Sequence, residues 1–589
     1  MYFSSKKGDL AYLSLLIIWG AAIAFIGLGA FEFFRHTEAD RTLIGLEMLS
    51  SGNYLVPHLL GSVILTKPPL FYWLIAASIA LFGQVSEWVA RFPSAVAALI
   101  LICCQYLFWR RSGHSKNIST LSALMLSSCP LFFQLSSVAE IDMVFALFCA
   151  ISLYSAYFVL VEASKWSLVI SGIAAGLAFL TKGPPIVFFL IASTVLFYIW
   201  LRFRGIVTPS TSSLWRFFSC GLVWVCTFLF VAGIWLALVA STVGWEALVH
   251  QFRVEVVERV VSANTHSRGL FFYLGSLIGG LSPWSIFLLG GLFVALKSRQ
   301  EVFKEAASAI SSHLLVYSMI VVFSSMLMLS LAQGKSSRYL FPVYPFATNI
   351  ALYSALALRG SNLEAIGFSL CSLLAWIVGI GLMGAGFYLG IFTNVSGVHG
   401  AKVVMAGVCL GSAVFFFAHV CRKRARIFVM VALLLIMICI RMAQVTVYAS
   451  NRNAERSVKG LAAKIDELVA PGKTIYTVEM FERWIVFYLV KQGRVVRRLS
   501  PSLVSTLKNS SEEQYILLNY EEELWRLNQL RYYDKDTEVI ATIEDGRERL
   551  LLIKARSDIL EYLEPHEYFP TIPTLPAANA VWKSQQSGD

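Results

Sequence analysis

The sequence predicts an all-α polytopic membrane domain of about thirteen spans, followed by a small C-terminal α/β domain outside the membrane. Three observations carry that expectation. Of the 589 residues, 57% are hydrophobic and only 14% are charged, a balance foreign to soluble folds. Runs of roughly 17–25 apolar residues recur through the first three quarters of the chain. After Asn451 the composition turns polar and the apolar runs shorten to strand length.

The spans fall near 10–31, 88–109, 118–136, 143–161, 167–181, 185–202, 216–241, 270–296, 313–332, 339–358, 364–392, 402–420 and 427–446. The first could pass for a signal peptide. Its apolar run is too long, however, and no small-residue cleavage site ends it, so it reads as an uncleaved span. The expected domains are 1–446, with an outer loop at 32–87, and 447–589.

Basic residues alternate with the spans: Lys6-Lys7, Arg110-Arg111 with Lys116, Lys165, Arg202 with Arg204, Lys297 with Arg299, Arg359, and Arg422-Lys423-Arg424 with Arg426. The positive-inside rule makes that side cytoplasmic. With an odd number of spans it predicts a multi-pass membrane protein whose N-terminus is cytoplasmic and whose C-terminus lies outside; a bacterial inner membrane, with that C-terminus periplasmic, fits the overall pattern. The net charge of +12 therefore reports topology, and no nucleic-acid partner is expected. All ten cysteines lie within or at the ends of spans without metal-ligand spacing, so they read as small buried apolar residues.

The first outer insertion, Glu32 to Trp73, carries Glu38, Asp40, Arg41, Glu47 and Lys67. Charge beside a bilayer is costly unless it serves a function, so this stretch reads as the front half of an active site. Leu43, Ile44, Leu46, Met48 and Leu49 suit an amphipathic helix lying on the membrane, with Thr37 as its cap. Pro68–Phe82 reads as a second interfacial or re-entrant helix, and Trp245–Val261 as a third. Three outer corners carry cations against the positive-inside rule: Lys67, Lys182, and Lys335 with Arg338. As a set they suit the phosphate of a lipid-linked substrate; singly, each could be an interfacial side chain reaching for water.

Past the last span, helices over Ser457–Val469 and Glu482–Val490 alternate with strands over Lys473–Val478, Arg494–Leu499 and Gln514–Asn519. Glu538–Ile543 and Arg549–Lys554 then form a hairpin about Asp545-Gly546. This domain carries no recognisable chemistry and is expected to cover the cavity or hold the acceptor. The tail from Pro570 is expected to fray.

Several motifs in order resemble the bacterial branch of the protein O-mannosyltransferase and lipid A aminoarabinose transferase superfamily, membrane glycosyltransferases of the GT-C fold. They are Glu38-Ala39-Asp40-Arg41 with Glu47-Met48-Leu49; Lys67-Pro68-Pro69; Glu87-Trp88-Val89-Ala90-Arg91-Phe92-Pro93; Glu140-Ile141-Asp142; Gly176 to Pro184; Pro283-Trp284; and Lys335 through Arg338-Tyr339 to Pro345. The resemblance covers at least the first 350 residues. It implies sugar transfer from a polyprenyl-phosphate donor to a lipid A-like, glycan or protein acceptor on the periplasmic face. It also implies catalytic carboxylates among Glu38, Asp40 and Asp142, and donor-phosphate contacts from Lys67, Lys182, Lys335 and Arg338. Arg41, Glu87, Arg91, Glu140 and Tyr339 are expected to bind substrate.

One departure stands out. Members commonly read Asp-Glu-x-Arg-Tyr at the first motif, and Thr37 occupies the place of that Asp. Glu38, preferred, or Asp40 would then supply the carboxylate. A phosphate acceptor, already an anion, would need little base. Bland alternatives stay open: helix N-terminal charge for Glu38 and Asp40, a helix cap for Asp142, and interfacial anchoring for Glu87 and Arg91. The other functional class is a transporter or flippase of lipid-linked sugars, which would place its charges within the spans. No cofactor is expected beyond the donor substrate, a divalent metal staying open, and the partners are membrane lipids, donor and acceptor bound by a monomer.

Overall fold

The computed structural model describes residues 6–33, 36–206, 213–254, 268–288, 309–357, 362–391, 398–423, 426–449, 452–453, 457–477, 483–499, 513–519, 538–544 and 549–556. The ends of the Trp245–Val261 and 270–296 segments, the Asp545-Gly546 turn and the tail from Pro570 lie outside them. Helices dominate. Among the described residues nine are long and apolar enough to cross a membrane.

The chain forms two compact units. The first comprises Met1–Leu28, Thr66–Leu70 and Phe92–Val447; the second comprises Gly29–Leu65, Phe71–Arg91 and Tyr448–Asp589.

In the first unit, α1 (Lys6–Phe25) is followed after the insertion by α4 (Glu87–Arg111), whose first turn belongs to the second unit. The expected span at 118–136 is broken into α5 (Lys116–Ser127) and α6 (Pro130–Leu135). Pro130 has no N–H to continue the ladder, and it starts the new helix where that donor is not needed. The break is held from two sides: Trp19 Nε1 donates to Ser127 Oγ and Trp284 Nε1 to Ser128 Oγ, each at 2.9 Å. Next come α7 (Ile141–Glu162), α8 (Lys165–Lys182), α9 (Pro185–Phe203), α10 (Leu214–Val243) and the short α11 (Trp245–Phe252). Gly172 and Gly176 let α8 lie close on α10: a Cβ at Gly172 would stand 1.8 Å from Thr227 Oγ1, the small-residue contact typical of membrane helices.

The expected span at 339–358 opens as a 3-10 turn, Ser337–Val343, before the helix Tyr344–Ala357. Pro342 removes a donor in the turn, whose tighter winding absorbs the loss, and Pro345 falls in the first turn of the helix, where that donor is not needed. Helices Phe272–Gly280, Ala309–Leu331, Asn362–Ile391, Val398–Arg422 and Arg426–Ala443 also belong to this unit. Of the described cysteines, Cys226 and Cys409 are exposed, so the reading of every cysteine as buried fails for these two.

In the second unit, α2 (His36–Ser51) begins one residue before Thr37, which therefore lies inside the helix and does not cap it. Residues 38–46 are buried on every side, so α2 is a core helix of its unit, not one floating with a wet polar face. A two-strand hairpin follows, β1 (His58–Leu59) and β2 (Ser62–Val63). Its turn residues Leu60 and Gly61 both have positive φ, and their N–H groups donate to the Glu47 carboxylate. α3 (Leu70–Phe82) lies mainly in this unit.

The C-terminal domain is a five-stranded sheet in the order β4-β3-β5-β7-β6. β3 (Ile475–Thr477) pairs in parallel with β4 (Val496–Arg498) and β5 (Glu513–Asn519). β7 (Arg549–Arg556) runs antiparallel to β5 and to β6 (Glu538–Glu544). Helices Val458–Leu468 and Arg483–Lys491 bury Ile465, Val486 and Phe487.

Candidate active site

The α7–α8 hairpin builds a charged cluster in the first unit. The chain reverses at Ala163, whose φ is 54°, and Ser164, whose Oγ accepts from Ser167 N to start α8. Midway along the pair Ser152 Oγ donates to Ser171 O at 2.9 Å and Ser171 Oγ to Ser152 O at 3.0 Å. This reversal sets the N-terminus of α7 beside the C-terminus of α8. Glu140 is the N-cap of α7, Asp142 sits in its first turn, and Lys182 ends α8. Both signs suit the helix dipoles, carboxylates at a positive end and a cation at a negative one.

Lys182 Nζ is ion-paired with Asp142 Oδ1. Arg338, on the 3-10 turn, places Nη1 3.2 Å from Glu140 Oε2 and 3.7 Å from Asp142 Oδ2. The Lys182 ammonium also lies 4.7 Å from the Tyr339 ring centroid and 5.4 Å from that of Phe145, within cation–π range. The carboxylates are sealed, at 0% exposure for Glu140 and 4% for Asp142, whereas Arg338 keeps 34%. Of the residues expected from sequence, the structure thus brings together Glu140, Asp142, Lys182, Arg338 and Tyr339. Lys335, buried, turns its Nζ to Arg268 O at 2.9 Å, and half-buried Lys67 donates to Thr66 O at 2.9 Å.

The second unit has its own charged centre. Glu38 and Arg91, with side chains 0% and 1% exposed, meet through Nε–Oε1 at 2.9 Å and Nη2–Oε2 at 3.3 Å. This two-pronged contact matches the guanidinium fork to the carboxylate. Arg91 also donates to Phe31 O at 2.9 Å and Glu32 O at 3.4 Å, so it fixes the chain at Phe31 and Glu32. Asp40 and Arg41 lie on the same helix, both nearly buried.

Glu87, expected to bind substrate, meets the C-terminal domain. Tyr488 Oη donates to its Oε1 at 2.8 Å, Lys459 Nζ lies 2.7 Å from Oε1, and Lys491 Nζ 3.3 Å from Oε2. The Tyr488 oxygen in turn accepts from Phe33 N at 3.0 Å. Burial and the neighbouring Glu87 carboxylate push the Tyr488 phenol well above its ordinary range, so it stays a donor. Glu32 joins through Ser457 Oγ and Lys459 N, each at 3.3 Å. Sequence reasoning missed Glu32, Lys459, Tyr488 and Lys491. Glu32 opens the charged insertion and could have been found there, but nothing local marks the others, some 400 residues away.

The crystal structure of ArnT from Cupriavidus metallidurans bound to undecaprenyl phosphate superposes with a TM-score of 0.67 at 18% identity, covering 93% of this chain and 98% of that one. This is the GT-C fold. Residues 66–235 match the family described as dolichyl-phosphate-mannose-protein mannosyltransferase. An uncharacterized protein of Aquifex aeolicus is 28% identical over 361 residues, 61% of this chain and 66% of that protein. An undecaprenyl phosphate-alpha-4-amino-4-deoxy-L-arabinose arabinosyl transferase of Pseudomonas fluorescens is 28% identical over 400 residues, 65% of this chain and 64% of that protein. The chain thus spans slightly under two thirds of the length of these relatives. The apolar helices and the relatives make this GT-C chain a multi-pass inner-membrane protein.

Proposed function

We propose that this chain is a polyprenyl-phosphate-sugar-dependent glycosyltransferase acting on a lipid A-like or other envelope acceptor. The observation that carries the reading is the cluster of Lys182 and Arg338 on Glu140 and Asp142, with Arg338 partly open. Its two cations suit a lipid phosphate leaving group. Its sealed carboxylates hold those cations in place without needing to touch the sugar.

In the proposed step an acceptor oxygen forms a bond to the anomeric carbon as the bond from that carbon to the phosphate oxygen breaks. The electron pair leaves with the polyprenyl phosphate, where Lys182 and Arg338 offset the developing charge. A hydroxyl acceptor must lose its proton to a carboxylate. Glu38, tied by a guanidinium on both oxygens, is a poor base, and Asp40 is the other candidate carboxylate of the first motif. A phosphate acceptor needs no base, which would make Thr37 in place of the family's Asp tolerable. The reading carries no cofactor beyond the donor, and it takes the chain to be a monomer with a cytoplasmic N-terminus and a periplasmic C-terminus.

The test is transfer from radiolabelled polyprenyl-phosphate sugars to extracted envelope lipids by purified protein, with Arg338→Ala, Lys182→Ala and Asp40→Asn beside wild type. Label in a new lipid, lost in folded Arg338→Ala, supports the proposal. Donor binding and translocation without a labelled product would replace it by a flippase.

A further inference from the structure

The cluster at Asp142 has a buried polar neighbour that takes no part in its ion pairs. Ser94, 0% exposed, lies on α4 directly after Pro93, the proline inside that helix. Its Oγ donates to Glu140 O at 3.2 Å. A serine or threonine hydroxyl within a helix commonly bonds back to the carbonyl one turn earlier. Thr42, Ser78, Ser119, Thr120 and Thr181 all do so here. Ser94 reaches across to another helix, at the residue that opens α7.

Glu140 is anchored through its backbone, which leaves its carboxylate for Arg338. It is the N-cap of α7, a place where a polar side chain ordinarily accepts from the first turn, yet its side chain makes no capping bond. Its carboxylate lies 3.2 Å from Arg338 Nη1. The Glu140 N–H donates to Val138 O at 2.8 Å in a tight turn, and the Glu140 carbonyl takes the Ser94 hydroxyl. Three residues upstream, Ser137 Oγ accepts from Arg441 Nη1 at 3.1 Å. Side chains of α4 and of the helix Arg426–Ala443 thus hold the chain where it enters α7.

The aim of Arg338 depends on that anchoring. Asp142 is a poor substitute for Glu140: its Oδ1 is paired with Lys182, and its Oδ2 stands 3.7 Å from Arg338 Nη1, too far for a good hydrogen bond. A Glu140 that drifted would leave Lys182 and Arg338 to share one carboxylate.

We propose that Ser94 is a positioning residue of this site: its hydroxyl fixes the Glu140 backbone, so that the Glu140 carboxylate aims Arg338 at a lipid phosphate. That the phosphate belongs to a sugar donor rests on the function proposed above. The phosphate contact itself is read without any sugar.

The test is a double-mutant cycle on the purified full chain, with Ser94→Ala and Arg338→Ala made singly and together. Two readouts are taken per folded molecule, binding of undecaprenyl phosphate and kcat for sugar transfer. Ser94→Ala should melt close to wild type and bind undecaprenyl phosphate about threefold more weakly, the scale of one hydrogen bond. Its kcat should fall about tenfold, as misplacement of a catalytic group does. In the Arg338→Ala background Ser94→Ala should change neither readout further, because a residue that acts through Arg338 has nothing left to aim. A purely structural Ser94 would lower the yield of folded protein and leave both readouts intact. A Ser94 acting by another route would add its loss to that of Arg338→Ala. Either result overturns the proposal. Should Ser94→Ala fail to fold, Ser94→Cys, similar in size but a weak donor, takes its place in the cycle. If wild type binds undecaprenyl phosphate through Arg338 yet no labelled product forms, the transferase reading falls while the binding cycle still decides Ser94. Equal binding by wild type and Arg338→Ala would overturn both.

Discussion

Glu38 with Arg91 and Asp142 with Lys182 and Arg338 are built from the same residue types, yet they differ in access. The first pair is sealed at 0% and 1% exposure, while Arg338 of the second cluster keeps 34%. A sealed guanidinium with a carboxylate on its fork and backbone carbonyls on its remaining donors has little left to give a substrate. A cation held at 3.2 and 3.7 Å by carboxylates that stay behind can still take a phosphate on its open side. The lesson is that the Glu38–Arg91 pair is committed to holding the start of α2, whereas Arg338 is a charge both held and reachable.

The largest expected effect breaks the sealed pair. Arg91→Met leaves Glu38 buried without its counter-charge and should cost about 3–5 kcal/mol. The readout is thermal melting in detergent, with loss of monodisperse protein. Glu38→Met with Arg91→Met should recover much of that loss, and Arg91→Lys little of it, because an ammonium lacks the fork. If Arg91→Met folds normally and only transfer suffers, the contrast drawn here between the two centres is wrong.

Next in size is the open cluster. Arg338→Ala and Asp142→Asn should each lower transfer about 10²-fold, with melting close to wild type for Arg338→Ala. Arg338→Lys should keep part of the rate. Destabilisation of Arg338→Ala on the scale of Arg91→Met would erase the distinction.

A smaller effect concerns the link from Glu87 to the C-terminal domain. Tyr488→Phe removes the hydroxyl that donates to Glu87 and accepts from Phe33 N. About 1–3 kcal/mol should be lost for the buried groups left unsatisfied, seen as earlier melting with transfer per folded molecule largely kept.

The smallest is a pH effect at the hairpin. Desolvation raises the Glu47 carboxyl to about 7 against the two N–H donors of Leu60 and Gly61. Because the folded value lies above the unfolded one, the proton-linked stability is full below about 4.5 and is lost as pH rises through about 7, then flat. Glu47→Gln should flatten the pH dependence of melting between these limits. A wild-type curve that rises across this window would contradict the sign.

Much of this was legible in the chain itself. The expected C-terminal helices and strands all recur within two or three residues where the structure describes them, because Ser457, the Gly-bounded turns and alternating apolar runs are local signals. Asp142, Lys182 and Arg338 were legible as well: each is a charge in a corner between apolar runs where composition gives no other reason for one. The broken span at Pro130 and the 3-10 turn at Pro342 could have been anticipated from the missing donors, whereas hydropathy averaged over a window hides them. The partners of Glu87 were not legible, since Lys459, Tyr488 and Lys491 come from a helical region whose own pattern speaks only of its sheet.

The sequence by itself determined the membrane class, the alternation of loops and the residue types from which a phosphate site can be made. All of these follow from transfer free energies and local periodicity. Only the tertiary structure decided which charge meets which: that Arg91 pairs with Glu38 and that α7 and α8 turn Asp142 and Lys182 toward each other. Ion pairing depends on distances of a few ångströms between residues 40 to 400 positions apart, and no local pattern encodes that separation.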